Sequence, residues 1–169
     1  MKIFFFVSTL LFFHLAHTKE IMINSPAPTF KSKTHDGIDF DLNSRKGHWT
    51  VLYFYPKADT PGCTKQACAF RDSIKIIRDQ GADVFGVSID TVEDQAKFHK
   101  KYHLNFTLIA DADGKVANLY GTKMTDKNLS QRWTFIIDPT LNIRSIDRQV
   151  DPVKDADKVA AAITDFKNK

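Results

Sequence analysis

The sequence predicts an α/β fold, a central mixed β-sheet flanked by helices with a β-hairpin ahead of it, and three observations carry the prediction. Runs rich in β-branched and aromatic residues alternate with segments whose apolar residues recur at helical spacing. A late pair of strand-like runs is joined by turn-forming residues, so antiparallel pairing is mixed into the pattern. No repeat, low-complexity tract or linker interrupts the chain, so residues 19–169 read as a single domain with an ordinary core.

The elements follow in order. Met1 to Thr18 carry one early cation, Lys2, an apolar run from Ile3 to Leu11 that continues through Phe12, Phe13, Leu15 and Ala16, and no acid. This is the pattern of a secretory signal peptide, cut before Lys19 or after Ala16. Ser8, Thr9 and His14 interrupt the run, and it falls short of the roughly 20 residues that a membrane span needs. Phe30–Lys33 and Ile38–Phe40 flank Thr34-His35-Asp36-Gly37, where Asp-Gly suits a hairpin turn. After a polar connector from Leu42 to His48, Trp49–Tyr55 is dense in strand-forming side chains and ends at Pro56, which reads as a buried central strand. From Pro61, Ala67, Phe70, Ile74 and Ile77 recur at helical spacing until Gly81. Val84–Ile89 is the next strand, Glu93–Tyr102 an amphipathic helix, and Leu104–Ile109 a third strand. A short helix over Val116–Tyr120 and a polar loop over Thr122–Gln131 precede the strands Trp133–Ile137 and Ile143–Asp147. Asp155–Phe166 closes the chain as a helix, with Val159, Ala162, Ile163 and Phe166 inward.

Charge excludes some partners. The net charge is 24 − 20 = +4, or +3 once Lys2 is removed with the leader, and basic residues are interspersed with acids, as in Arg71, Asp72, Lys75, Arg78 and Asp79. That is a solvated helix face, so no nucleic-acid partner is expected, nor is a stable membrane association. His99 and His103 lie four apart, but Lys100 and Lys101 stand between them and no third ligand is in view, so no metal is expected. Asp111-Ala112-Asp113-Gly114 starts like a calcium loop and lacks the distal glutamate, which leaves a turn. Asn105-Phe106-Thr107 and Asn128-Leu129-Ser130 are glycosylation sequons, relevant only in a host that modifies exported chains. Trp133 can stack on the neighbouring Arg132 or pack in the core.

Residues 55–72 hold the chain's two cysteines, five apart, at a strand-to-helix junction. On an unbroken helix Cys63 and Cys68 would have Cα atoms roughly 8 to 9 Å apart, whereas a disulfide needs less than about 7 Å. Bonding the pair therefore requires the first helical turns to unwind. An exported chain with two cysteines can also carry one structural disulfide. For so short a loop, however, chain entropy contributes only about 2 kcal/mol, from which the broken helical turns are subtracted. Pro56, Thr60 and Cys63 form Pro-x-x-x-Thr-x-x-Cys at the helix start. Cys63 in the first turn faces unpaired N–H groups and the positive end of the helix dipole, which favour a thiolate. Thr60 offers a hydroxyl able to donate to sulfur or to an incoming oxygen, and Pro56 can wall off water without a competing donor.

With these residues in hand, the sequence resembles the peroxiredoxins, and most closely the branch called peroxiredoxin Q or bacterioferritin comigratory protein. The resemblance rests on Phe-Tyr-Pro-Lys-Ala-x-Thr-Pro-Gly-Cys-Thr-x-Gln-Ala-Cys over residues 54–68, on Asn105-Phe106-Thr107-Leu108, and on Arg132-Trp133-Thr134-Phe135-Ile136-Ile137-Asp138. It implies a thioredoxin-like fold and a thiol peroxidase. Cys63 then matches the peroxide-attacking cysteine, Cys68 the resolving one, Arg132 the arginine that reaches the sulfur from a neighbouring strand, and Gln66 a polar supporting position. It also implies a hydroperoxide substrate, thioredoxin as electron donor, a monomer, and no metal, haem, flavin or other cofactor. The export segment departs from the branch's habit of working in reducing compartments. It points to the periplasm, or alternatively to secretion, and to an exported thioredoxin-like reductant. Two other functions stay open at this point: an exported thiol-disulfide exchange protein, against which the lack of Cys-x-x-Cys counts, and a non-catalytic binding domain with a structural disulfide.

Overall fold

β3 (Trp49–Phe54) is buried on both faces, and that fact organises the rest. Val51 and Tyr53, with Tyr55 just beyond the strand, point into one core beside Ala67, Phe70, Val159 and Ile163. Leu52 and Phe54 point into a second core with Val87, Ile109, Tyr120 and Phe135. Side chains alternate along a strand, so a continuous apolar run is what a sheet covered on both faces requires. The structure is a computed structural model and describes residues 20–168; the export segment expected over residues 1–18 lies outside them.

Ahead of β3 lie β1 (Lys31–Thr34), β2 (Asp39–Asp41) and a 3-10 turn over Leu42–Arg45. After it come α1 (Pro61–Arg78), β4 (Ala82–Ser88), α2 (Val92–Lys101), β5 (Thr107–Ala110), α3 (Lys115–Leu119), β6 (Trp133–Ile137), β7 (Ile143–Asp147) and α4 (Asp155–Lys167). The strands form one seven-stranded mixed sheet in the order β2-β1-β5-β4-β3-β6-β7. β3 runs parallel to β4 and antiparallel to β6, with Tyr53 opposite both Gly86 and Thr134. That register places the C-terminal end of β3, which leads to Cys63, beside the start of β6, which follows Arg132. Gly86 is sterically required, because a Cβ there would lie 2.6 Å from the Tyr53 ring. The ring stacks on Phe70 of α1 at 4.7 Å between centroids and on Tyr55 at 5.4 Å.

The expected elements are all present, with several boundaries moved. β5 begins at Thr107 rather than Leu104. Leu104 and Phe106 are buried, but the chain is still turning off α2 there: His103 has φ 50° and the Leu104 N–H donates to the His99 carbonyl at 3.0 Å. His103 thus lies beyond the helix and does not share a helical face with His99, whose ring instead stacks on His35 at 3.8 Å. α1 ends at Arg78, ahead of a turn in which Gly81 adopts φ 75°. The polar loop 122–131 is a small antiparallel clasp: Lys123 bridges Ser130, and the buried Thr122 and Ser130 hydroxyls meet at 3.0 Å. Asp111 begins a turn as expected, and its buried carboxylate accepts the Val116 and Ala117 N–H groups that open α3, at 2.9 and 2.7 Å. Among the described residues, no helix is long and apolar enough to cross a membrane.

Candidate active site

Cys63 lies in the first turn of α1, after Thr60 at the N-cap and Pro61 at the first helical position. Proline suits that position because its missing N–H would be unpaired there in any case. The first helical bond runs from Thr64 N to Thr60 O at 2.8 Å, so the amides of the preceding turn are left to face whatever sits at the helix end. No acidic residue lies in this first turn, while Lys75 and Arg78 occupy the last, so the helix field at Cys63 stays positive. Cys63 is 1 % exposed, and Cys68, further along the same helix, is half-buried; both are free thiols.

Arg132 closes the site from the segment just ahead of β6, one residue short of the neighbouring strand from which the resemblance has it reach the sulfur. Its Nη2 donates to Cys63 Sγ at 3.4 Å and its Nη1 to Gln66 Oε1 at 2.6 Å, which uses the guanidinium as a fork across one turn of α1. Gly62 makes this approach possible, since a Cβ there would stand 3.2 Å from Nη2. Gln66 is fully buried and passes its amide N–H on to Asp155 Oδ2 at 2.6 Å, and the same oxygen accepts the Thr134 hydroxyl at 2.8 Å. Asp155 is a buried carboxyl at the start of α4. Burial pushes it up to about 6, against the hydrogen bonds from Thr134 and Gln66 that draw it down; nearby Asp147 raises it further and Lys158 lowers it.

The approach to α1 is pinned to its neighbours. Asp90, buried, accepts the Ala58 N–H at 2.8 Å and the Ser88 hydroxyl at 2.7 Å and pairs with Lys57 at 3.3 Å. Asp59, with φ 59°, is held on α2 by Lys101 at 2.7 Å and by the Tyr102 hydroxyl. Thr60 is placed at the helix mouth, but its hydroxyl proton goes to the Lys57 carbonyl at 2.9 Å. Neither donation read from the sequence, to sulfur or to an incoming oxygen, is therefore what this state contains. The oxygen keeps its lone pairs, so it can accept a hydrogen bond from an incoming O–H. Pro56 and Arg132 both border a cleft of about 330 Å³ that Met124, Trp133, Arg148 and Val150 also line. Trp133 packs on Phe135, and the cation over its ring is Arg148, 4.9 Å from the centroid. A larger hollow, about 560 Å³, lies elsewhere, between β1 and the start of α3.

The structure thus brings Cys63, Arg132 and Gln66 into direct contact, sets Thr60 and Pro56 at the same helix mouth, and leaves Cys68 on the continuous helix. Three participants were not read from the sequence. Gly62 and Thr134 lie within the quoted motifs but nothing there gives them a role, and Asp155 looks like any acid placed in a first helical turn to complement the dipole.

The AhpC/TSA family model matches residues 23–146. The chain is 43 % identical over 125 residues to the bcp peroxiredoxin of Coxiella burnetii, covering 70 % of this chain and 82 % of that protein. It is 44 % identical over 121 residues to a chloroplastic peroxiredoxin Q of Oryza sativa subsp. japonica, covering 68 % of this chain and about half, 53 %, of that relative's length. In three dimensions it is similar to the peroxidoxin BcpB of Mycobacterium tuberculosis, with a TM-score of 0.81 and 32 % identity over 87 % of this chain and 99 % of that one. The mixed sheet flanked by helices is accordingly a thioredoxin-like fold, as the sequence resemblance implies. A matched family model spanning most of the chain, near-complete structural overlap, and a cysteine held under an arginine at a helix mouth lead to one assignment: the chain belongs to the AhpC/TSA family, in its peroxiredoxin Q/bacterioferritin comigratory protein branch, whose members are thiol-dependent peroxidases.

Proposed function

We propose that this chain reduces hydroperoxides through Cys63, resolves the product with Cys68, and works outside the cytosol. The observation that carries the reading is the 3.4 Å contact from Arg132 Nη2 to Cys63 Sγ at the N-terminal turn of α1, with Cys68 five residues along the same helix. A permanent cation and free helix amides stabilise the thiolate that attacks. Sulfur attacks the terminal peroxide oxygen, the O–O bond breaks, and the departing oxygen takes a proton and leaves as water or an alcohol, with Cys63 left as a sulfenic acid. Thr60 accepts the peroxide O–H, and Arg132 holds the oxygens as charge develops on them. The start of α1 then unwinds, the Cys68 thiol gives up its proton and attacks the sulfenic sulfur, the displaced hydroxide takes a proton and leaves as water, and a Cys63–Cys68 disulfide forms within the chain. An exported thioredoxin-like dithiol returns both sulfurs to thiols. The near-complete burial of Cys63 suits a small peroxide and disfavours a protein disulfide as the primary target.

Mass spectrometry of reduced protein mixed with peroxide tests the scheme. Cys63→Ser abolishes turnover, and Cys68→Ser stops with Cys63 oxidised and no intramolecular disulfide. A protein in which Cys68 alone is consumed overturns it. The leader is tested by N-terminal sequencing of protein recovered from the periplasm, expected to begin at Lys19 or at His17. A chain retained in the cytosol with Met1 in place removes the export reading.

A further inference from the structure

The hydrogen-bonded line that begins at Cys63 continues past Arg132 and Gln66 to a carboxyl on a different helix. We propose that Asp155 is a positioning residue for the peroxidase reaction: its ionised carboxylate fixes which way round the Gln66 amide sits, and so holds the Arg132 fork on Cys63. This inference rests on Cys63 being the sulfur that attacks peroxide.

The constraint begins at the amide. Glutamine offers an acceptor on one side and donors on the other, and Arg132 has only donors. Arg132 must therefore face Oε1, as it does at 2.6 Å, which obliges Nε2 to find an acceptor on the far side. Asp155 Oδ2 is that acceptor at 2.6 Å. An ionised carboxylate can only accept, so it tolerates just this orientation. A protonated one has a hydrogen to place and is a poorer acceptor, which lets the amide turn. The turned amide would aim its NH₂ at Nη1, donor against donor, and the guanidinium would leave its place between Gln66 and Cys63.

Helix capping does not account for the residue. Asp155 opens α4, yet its bonds run to the Gln66 and Thr134 side chains on α1 and β6 rather than to amides of its own helix. The charged and titratable groups around it are Arg132 from the segment before β6, Tyr53 from β3, Cys63 beyond Gln66 on α1, Asp147 from β7 and Lys158 from α4. Lys158 pairs with Asp147 at 3.5 Å. Tyr53 is held neutral by burial, so it contributes no charge of its own. Thr134 and Asp155 also line a cleft of about 320 Å³ with Asp147, Lys158 and Ser145, a route by which a proton reaches Asp155 from the side away from Cys63. With the carboxyl pushed up to about 6, the change in protonation falls near that pH.

The test is the second-order rate constant of the reduced full chain with hydrogen peroxide from pH 4.5 to 8.5, by stopped flow. The unaltered protein shows a fall in rate near pH 6 on acidification. Asp155→Asn loses that step and is about tenfold slower at pH 7.5, since an amide there again lets Gln66 turn. Thr134→Val removes one bond that favours the ionised carboxylate, and moves the step to higher pH by about one unit. A purely structural role would change stability without moving the step. The proposal is overturned by an Asp155→Asn protein with an unchanged rate and profile, or by a step that stays in place in Thr134→Val. If instead peroxide leaves the Cys63 thiol untouched at every pH in the unaltered protein, it is the peroxidase reading itself that has failed.

Discussion

Arg132 and Asp155 carry opposite charges and never pair directly: the Gln66 amide stands between them, bonded to one at each end at 2.6 Å. The guanidinium therefore has a donor left over for Cys63. Arg132→Lys keeps the charge but not the fork, and a single ammonium cannot hold both Oε1 and Sγ in the same geometry. The peroxide rate constant is expected to drop roughly 10- to 100-fold, the value of a charged hydrogen bond lost at the reacting atom. Stopped-flow thiol oxidation measures it, and a rate within twofold of the original would refute the fork.

Gly62 yields a variant in which stability and activity move apart. The added methyl in Gly62→Ala stands 3.2 Å from Nη2, so the guanidinium shifts by a few tenths of an ångström from its place by the sulfur. Activity is expected to fall about 3- to 10-fold, because hydrogen bonds weaken steeply as their geometry departs from ideal. Alanine is a better helix former than glycine by up to about 1 kcal/mol, so the thermal midpoint should hold or rise. Activity and melting curves on the same preparation check both halves.

Asp155 also costs the fold something at neutral pH. Its folded value, about 6 against an ordinary 3.8, means that the native state binds the proton more tightly than the unfolded chain does. Stability from this group is therefore full below 3.8 and declines as pH rises towards 6. Asp155→Asn escapes that decline, so it is expected to be more stable than the parent by about 1 to 3 kcal/mol above pH 6, with the gain vanishing near pH 4. Urea denaturation at pH 4 and pH 7 compares them, and an equal difference at both values would count against a buried, ionising carboxyl.

Gly86 has no room for a side chain beside Tyr53. A methyl there meets the Tyr53 ring at 2.6 Å and Leu108 at 2.9 Å, both buried and neither free to move. Gly86→Ala should lose about 2 kcal/mol or more from overpacking, read as a lower urea midpoint with an unchanged slope. Because Tyr53 stacks on Phe70 of α1, activity should fall along with it.

Much of this molecule is legible in its sequence, for physical reasons that differ by element. β3 announces itself because a strand covered on both faces needs an unbroken apolar run, and Val51 to Tyr55 supply one. α1 is equally plain, since Ala67, Phe70, Ile74 and Ile77 all face inward. Cys63, Thr60 and Pro56 are local to one strand-helix junction, so spacing alone groups them, whereas Gln66 comes through the family resemblance. Arg132 comes only through the family motif, because its meeting with Cys63 depends on β6 lying beside β3. Asp155 is out of reach altogether: it lies 89 residues from Gln66, and nothing in a first-turn acid says that its side chain points across to another helix. The clasp of Thr122 and Ser130 is hidden for a similar reason, since two buried hydroxyls that satisfy each other look from the sequence like solvated loop residues.

The amide of Gln66 has a further consequence, one of timing. In the proposed cycle the same stretch of α1 melts before Cys68 reaches Cys63, so every bond that steadies the arginine also delays the melting. A tighter joint lengthens the lifetime of the sulfenic acid, and during that wait a second peroxide molecule can carry the sulfur on to the irreversible sulfinic form. On that reading, the two bonds of Gln66 strike the compromise between reacting quickly and letting go in time.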